Sequence, residues 1–188
     1  MKSKQPYLIL GLALLALAGC ASTPSITSWD IPTVAGKTMV TRDDFKKITT
    51  IKSPEIVFGG DGVDIYQYHL GAEMKDGEEK PNYYLMLITQ RGYGQSWAFW
   101  ETASDQNGKE FKLTNEGRDI YVSDIVQELS SARMSREYLE GLRMAGVRWR
   151  VYGQRATKDF DLAPNLISGF LQKCDEQFGR LMASKSGP

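Results

Sequence analysis

One segment of the chain alternates between apolar and polar side chains with a period of two residues. Its apolar members are Tyr66, Tyr68, Leu70, Ala72 and Met74. A period of two places alternate side chains on opposite faces of a β-strand, whereas an amphipathic helix repeats every 3.6 residues. The segment therefore predicts a strand with one buried face, which another layer of structure must cover.

Further short runs of β-forming residues, separated by turn residues, surround this segment. Residues 48–58 are rich in Ile, Thr and Val, and residues 83–88 are apolar on both faces, as in a central strand. Residues 147–152 alternate an apolar face with a basic one, and a short strand is expected around Phe160. The apolar residues of segment 119–129 fit the spacing of a strand and also that of a helix, and we interpret the segment as a strand with a bulge.

The clearest hairpin joins residues 97–103 to residues 110–113. Asn107-Gly108 lies between them, and this pair accepts the positive φ of a tight turn. Most aromatic side chains of the first strand are expected in the core, since alternation directs either Trp97 and Phe99 or Ala98 and Trp100 inward.

Two helices are predicted in the second half of the chain. Ser135 can cap a helix that runs through Leu142, and Gly146 is placed to end it. Pro164 suits the first turn of a longer helix, whose apolar residues then recur at spacings of three and four. The chain is therefore expected to be an α+β protein: a mostly antiparallel β meander, curved or in a sandwich, covered by one or two helices from its C-terminal half.

The first nineteen residues have the pattern of a secretory signal. Lys2 and Lys4 make the amino end positive, and the apolar run of residues 8–18 follows. Such a run is too short to cross a bilayer, which needs about 20 apolar residues. We therefore expect residues 1–19 to be removed.

A cysteine follows the signal directly. The sequence Leu17-Ala18-Gly19-Cys20 resembles the lipobox of bacterial lipoproteins, which are cut before the cysteine. The resemblance implies that the Cys20 thiol carries a diacylglyceryl group and that its new amine is acylated, as by palmitate, so that membrane lipid is a partner. Ala21 in place of aspartate implies delivery to the outer membrane of a Gram-negative envelope, facing the periplasm. The alternatives are an ordinary secreted protein with an incidental cysteine and an uncleaved signal anchor.

The mature chain divides into a tether and one domain. Residues 20–37 are rich in Ser, Thr and Pro without periodicity and are expected to form a lipidated tether, and residues 38–188 a single domain. The leader contains two of the 23 basic residues and none of the 23 acidic ones, which leaves the mature chain with a formal charge of −2. This charge predicts no nucleic-acid partner.

The sequence offers no recognisable catalytic set, and no cofactor or metal is expected. The single histidine, His69, lies on the polar face of its strand and is expected to be exposed. Cys174 lies in the apolar stripe of the last helix and is expected to be a buried free thiol. The acidic loops at residues 58–64 and 105–108 lack the spacing of a calcium loop and are interpreted as turns.

Two features are candidate binding surfaces. Residues 133–158 carry seven basic and two acidic side chains, and among them Arg148, Arg150 and Arg155 could form an anion or partner surface. The alternative is that these arginines pair with carboxylates of adjacent strands. The second feature is an aromatic segment within residues 83–100, where Tyr93 is the ring expected to be most exposed.

These features indicate a non-enzymatic binding or assembly module of the cell envelope. Its partner would be an envelope protein, anionic lipid or a cell-wall polymer. The alternative is a cell-wall or lipid hydrolase that uses a carboxylate pair, such as Glu78 with Glu79 or Asp159 with Asp161.

Overall fold

The structure is a computed structural model and describes residues 28–61, 64–92, 95–121 and 125–185. Within these ranges the helices and strands are, in chain order, α1 (Ile31–Lys37), β1 (Met39–Asp43), β2 (Ile48–Lys52), β3 (Ile56–Asp61), β4 (Asp64–Lys75), β5 (Asn82–Arg91), β6 (Trp100–Asp105), β7 (Glu110–Tyr121), β8 (Ile125–Met134), α2 (Arg136–Gly141), β9 (Val147–Gly153), β10 (Thr157–Leu162) and α3 (Pro164–Lys185).

The strands form one antiparallel sheet in the order β1-β2-β4-β5-β8-β7-β6-β9-β10, and β3 pairs with the first half of β4. The expected α+β class and antiparallel sheet are thus confirmed. Two of the helices are in the C-terminal half, as expected, but α1 precedes the first strand.

The sheet curls into a half-barrel, so that strands far apart in its order come together. The Tyr68 hydroxyl of β4 donates a hydrogen bond to the Asp161 carbonyl of β10 at 2.6 Å. The Phe160 ring lies 4.8 Å from the Tyr68 ring and 4.7 Å from the Phe58 ring, between centroids. Aromatic packing therefore joins β10, at one end of the strand order, to β3 and β4.

Helix α3 covers the inner face of the sheet. Its apolar positions Leu166, Ile167, Phe170 and Leu171 are fully buried, and the Phe170 ring meets Tyr83 of β5 edge-on. The side chains that the alternation assigns to the inner face of β4 are all buried. Cys174 is a buried free thiol, as predicted, and burial raises its pKa.

Residues 31–37, which the sequence analysis assigned to the tether, form α1 and belong to the folded domain. The Asp30 carboxylate caps the helix by accepting a hydrogen bond from the Thr33 amide at 2.8 Å. Val34 is fully buried against α3, where Gly169 leaves room for it. Seven residues are too few to show a helical period in the sequence. The packing of α1 against α3 is what places this helix in the domain.

Three strand boundaries differ from expectation. Residues 119–129 are not one bulged strand: β7 ends at Tyr121, β8 begins at Ile125, and the bulge lies between Asn115 and Gly117. Pro54, which lacks an amide hydrogen, lies in the break between β2 and β3. The hairpin turn before β7 is confirmed, with Gly108 at φ 83°, but β6 begins only at residue 100.

Candidate functional site

The arginines of β9 point outward and pair with carboxylates of the neighbouring strand. Arg148 Nε lies 3.0 Å from Asp161 Oδ1, and Arg150 donates Nε and Nη2 to the two oxygens of Asp159 at 2.6 and 2.7 Å. The antiparallel register of β9 and β10 sets these residues opposite one another. The structure thus favours the alternative of pairing between adjacent strands, because both guanidinium groups already bind a carboxylate.

Arg155 lies elsewhere, beside the aromatic segment that leads into β6. Its Nη1 donates to Ser96 Oγ at 2.5 Å, its amide donates to the Ala98 carbonyl at 3.2 Å, and its guanidinium carbon lies 5.7 Å from the Phe99 centroid. The structure therefore separates Arg155 from the two β9 arginines and joins it to the second candidate surface. Tyr93, the ring expected there, lies outside the described residues.

The backbone at Phe99 has a strained conformation, with φ at 55°. Glu128 of β8 holds it: this carboxylate, 1% exposed, accepts the amides of Phe99 at 2.9 Å and Trp100 at 3.2 Å. Arg118 of β7 is the third partner of this carboxylate and donates Nη2 to Glu128 Oε1 at 2.9 Å. The guanidinium carbon of Arg118 lies 4.7 Å from the centroid of the Phe99 ring. A buried carboxylate needs such partners, so the charge of Glu128 is used to fix this backbone.

Arg91, at the end of β5, fixes the other side of the segment. Its Nη1 donates to the Ser96 carbonyl and its Nη2 to Gln95 Oε1, both at 2.7 Å. Asp64 lies 3.6 Å from Arg91 Nε and accepts the Gly92 amide at 2.9 Å. Side chains from β4, β5, β7 and β8 thus fix the backbone leading from β5 into β6.

We call the side chains presented here the Phe99 surface: Gln95, Trp97, Phe99, Arg118 and Arg155. Gln95 and both arginines are exposed, and the two rings, 6.2 Å apart, are half-buried. Trp97 Nε1 is buried and has no hydrogen-bond partner within the described ranges. Flat rings beside guanidinium groups can bind a partner that presents both an apolar face and a negative charge.

Sequence reasoning missed the residues that build this surface. Arg91, Arg118 and Glu128 lie on three different strands and form no motif along the chain. The one available signal was the position of Glu128 on the inward-facing register of an apolar strand, where a carboxylate is rare unless paired.

The prediction that His69 is exposed is wrong. The residue is only 5% exposed, and burial, with a smaller effect of the Lys52 charge, lowers its pKa to about 4. Nδ1 has no hydrogen-bond partner among the residues that are described. The segment after β2 runs beside this part of β4, since Ser53 hydrogen-bonds the Leu70 backbone. The alternation of apolar and polar side chains correctly places His69 on the face of β4 opposite to Tyr68 and Leu70, but it cannot show that another part of the chain covers this face.

The acidic turn before β7 is structural, as predicted. Asp105 accepts the amides of Asn107 at 2.8 Å and Lys109 at 2.9 Å with one oxygen and the Tyr138 hydroxyl at 2.8 Å with the other. Tyr138 in turn accepts a bond from Trp149 Nε1 at 3.1 Å, which fastens α2 to the sheet. The described residues include no group of three or more potential metal ligands.

None of the helices within the described ranges is both long and apolar enough to cross a membrane. Comparison of the chain with protein-family models, with curated proteins and with solved structures finds no match.

Proposed function

We propose that this chain is a lipid-anchored protein of the bacterial cell envelope whose domain binds another envelope component without catalysing a reaction. The observation that carries the proposal is the sequence Leu17-Ala18-Gly19-Cys20 after a short apolar signal. Acylation of Cys20 would anchor the protein, and Ala21 favours the outer membrane, with the domain in the periplasm.

The first helix of the domain follows soon after the proposed anchor. Helix α1, which packs on α3, begins at Ile31, eleven positions after Cys20. Eleven residues span at most roughly 40 Å. The domain would therefore work close to the membrane surface.

The binding role rests on the Phe99 surface. Buried Glu128 and Arg91 hold a strained backbone that presents Trp97 and Phe99 beside Arg155. Strain of this kind costs about 1–3 kcal/mol and persists only where the surrounding structure over-determines it, and strained residues of this kind cluster at binding and active sites. A partner with an apolar face and a carboxylate or phosphate, such as an envelope protein or a cell-wall polymer, fits this surface.

The hydrolase alternative gains no support from the carboxylate pairs that suggested it. Hydrogen bonding to Arg150 lowers the pKa of Asp159, whereas a general acid needs a raised pKa. Asp161 pairs with Arg148, and Glu78 closes the turn after β4 by accepting the Lys75 amide at 3.1 Å.

The anchor is tested by mass spectrometry and fractionation. We expect the mature protein to begin at Cys20 with a mass increased by its acyl chains, and Cys20→Ser to release it from envelopes. Cys174→Ala is the matched control, because this thiol is buried in the domain and its loss should leave the protein in the envelope fraction. A bare Cys20 thiol, or a Cys20→Ser protein that still sediments with envelopes, would refute the proposal.

The binding surface is tested by photocrosslinking in cells. A photoreactive residue at Gln95 should give a discrete crosslinked product that Arg155→Glu abolishes. The same residue at Met144, which is exposed in the turn after α2, serves as the control. Identical products from both positions, or a product insensitive to Arg155→Glu, would contradict a role for the Phe99 surface.

A further inference from the structure

The turn between β1 and β2 holds a fully exposed aromatic ring. Asp43 accepts the amides of Phe45 and Lys46, each at 2.9 Å, and Lys47 at φ 57° closes the turn. The Phe45 side chain is as exposed as in an extended chain (101%), whereas the other six phenylalanines are buried or half-buried. Local hydrogen bonds thus define a tip from which this ring projects into solvent.

The tip carries three basic side chains (Arg42, Lys46 and Lys47) and three acidic ones (Asp43, Asp44 and Asp76), and among the described residues only the two lysines of this set have neither an ion pair nor a turn amide as partner. The Asp43 carboxylate accepts the turn's own amides, and Asp44 lies 3.0 Å from Arg42. Arg42 also binds Asp76 of the neighbouring turn at 2.7 Å. Lys46 and Lys47 are exposed, and the described part of the chain offers neither of them an ion pair. An exposed apolar ring followed by two lysines without ion pairs suits the headgroup region of an anionic bilayer.

The position of the tip in the chain brings it within reach of the anchor. From Ser28 the chain passes through α1, of about 10 Å, and β1, of about 17 Å, to reach Phe45. Ser28 lies eight positions after Cys20, and a stretch of that length spans at most roughly 27 Å. The tip can therefore touch the bilayer in which Cys20 is anchored.

We propose that the β1–β2 tip inserts Phe45 into the headgroup region of that anionic bilayer, with Lys46 and Lys47 against lipid phosphates. The inference rests on the proposed anchor at Cys20. The acyl chains hold the protein at the membrane, and the tip fixes which side of the domain faces it. The Phe99 surface is then presented to partners in a defined orientation.

The test uses the mature lipidated protein in vesicles of phosphatidylethanolamine and phosphatidylglycerol that contain a nitroxide-labelled lipid. A fluorophore is attached at Asp44→Cys, beside the native ring, or at Met144→Cys as an equally exposed control. Cys174 is buried and does not compete for the label. We expect quenching to be several times stronger at position 44 than at position 144.

Variants identify the cause of the quenching. Phe45→Ser, at a fully exposed side chain, should leave folding intact and reduce quenching at position 44 several-fold. Replacing phosphatidylglycerol by phosphatidylcholine should reduce it as well. If the protein floats with vesicles but positions 44 and 144 are quenched equally, or if Phe45→Ser or the lipid change has no effect, the tip proposal is overturned and the anchor stands. If Cys20 is bare and the protein does not float, the anchor fails and the tip proposal fails with it.

Discussion

Two glycines of α3 provide a matched test of how α1 joins the domain. A Cβ atom added to Gly169 would lie 2.6 Å from Val34 Cβ and 2.8 Å from the Ile31 carbonyl oxygen, both in α1. A Cβ atom added to Gly179, ten residues along the same helix, would meet nothing within 4 Å. The same substitution by alanine therefore probes close packing at one site and helix propensity alone at the other.

The expected effects have opposite signs. Alanine is favoured over glycine in a helix by about 0.5–1 kcal/mol, so Gly179→Ala should stabilise the protein by up to that amount. Gly169→Ala gains the same propensity, but the clash involves α1 backbone and forces α1 away from α3. Val34 is fully buried there, and exposing a valine side chain costs about 1.5–3 kcal/mol. The two variants should thus differ by about 1.5–3 kcal/mol, with Gly169→Ala the less stable.

Urea unfolding of the lipidated protein in detergent, followed by tryptophan fluorescence, measures this difference. Thermal unfolding should show a corresponding gap of about 2–4 °C per kcal/mol for a chain of this size. Proteolysis should also cut α1 sooner in Gly169→Ala than in Gly179→Ala. If Gly169→Ala proved as stable as Gly179→Ala, α1 would not be packed on α3, and our account of where the tether ends would be refuted.

Three further predictions concern polar groups. Burial lowers the pKa of His69 to about 4, below the usual 6.5, so the contribution of this group to stability should be complete above pH 6.5 and be lost as the pH falls towards 4. Between pH 7 and pH 5 this amounts to about 2 kcal/mol, and urea titrations should show that His69→Leu removes this part of the pH dependence. Glu128→Gln should cost about 1–3 kcal/mol in unfolding experiments, because an amide cannot accept from Arg118 and the backbone amides of residues 99 and 100 equally well. A cost within error would mean that the carboxylate does not hold the strained backbone. For Arg150 and Asp159, a double-mutant cycle to alanine should give a coupling that is small beside the error of the unfolding measurements, because the pair is exposed, and a large coupling would contradict that assignment.

Features that depend on one element and its immediate neighbours could be predicted from the sequence. The alternation from Tyr66 to Met74 identifies the inner face of β4, because a strand's side-chain period is a local property. Ser135 caps α2 by accepting the Tyr138 amide at 3.1 Å, as the capping pattern predicts. The buried state of Cys174 follows in the same way from its place in a helical stripe.

The candidate site could not be predicted, because it is built from residues on different strands. Glu128 meets the Phe99 amide only because β8 and the segment before β6 are brought together by the sheet, and no local pattern encodes that meeting. Arg155 differs from Arg150 for the same reason: the register of β9 and β10 gives Arg150 a carboxylate, whereas Arg155 lies past the end of β9.

The sequence by itself determined the periodicity of the main strands and the two C-terminal helices, and it is the whole basis of the proposed anchor at Cys20, since each of these patterns lies in consecutive residues. The tertiary structure decided that the sheet curls until Tyr68 reaches Asp161, that His69 is covered, and that α1 belongs to the domain. The physical reason is that backbone geometry sets which way a side chain points, whereas burial and partnership depend on which distant segment packs against it.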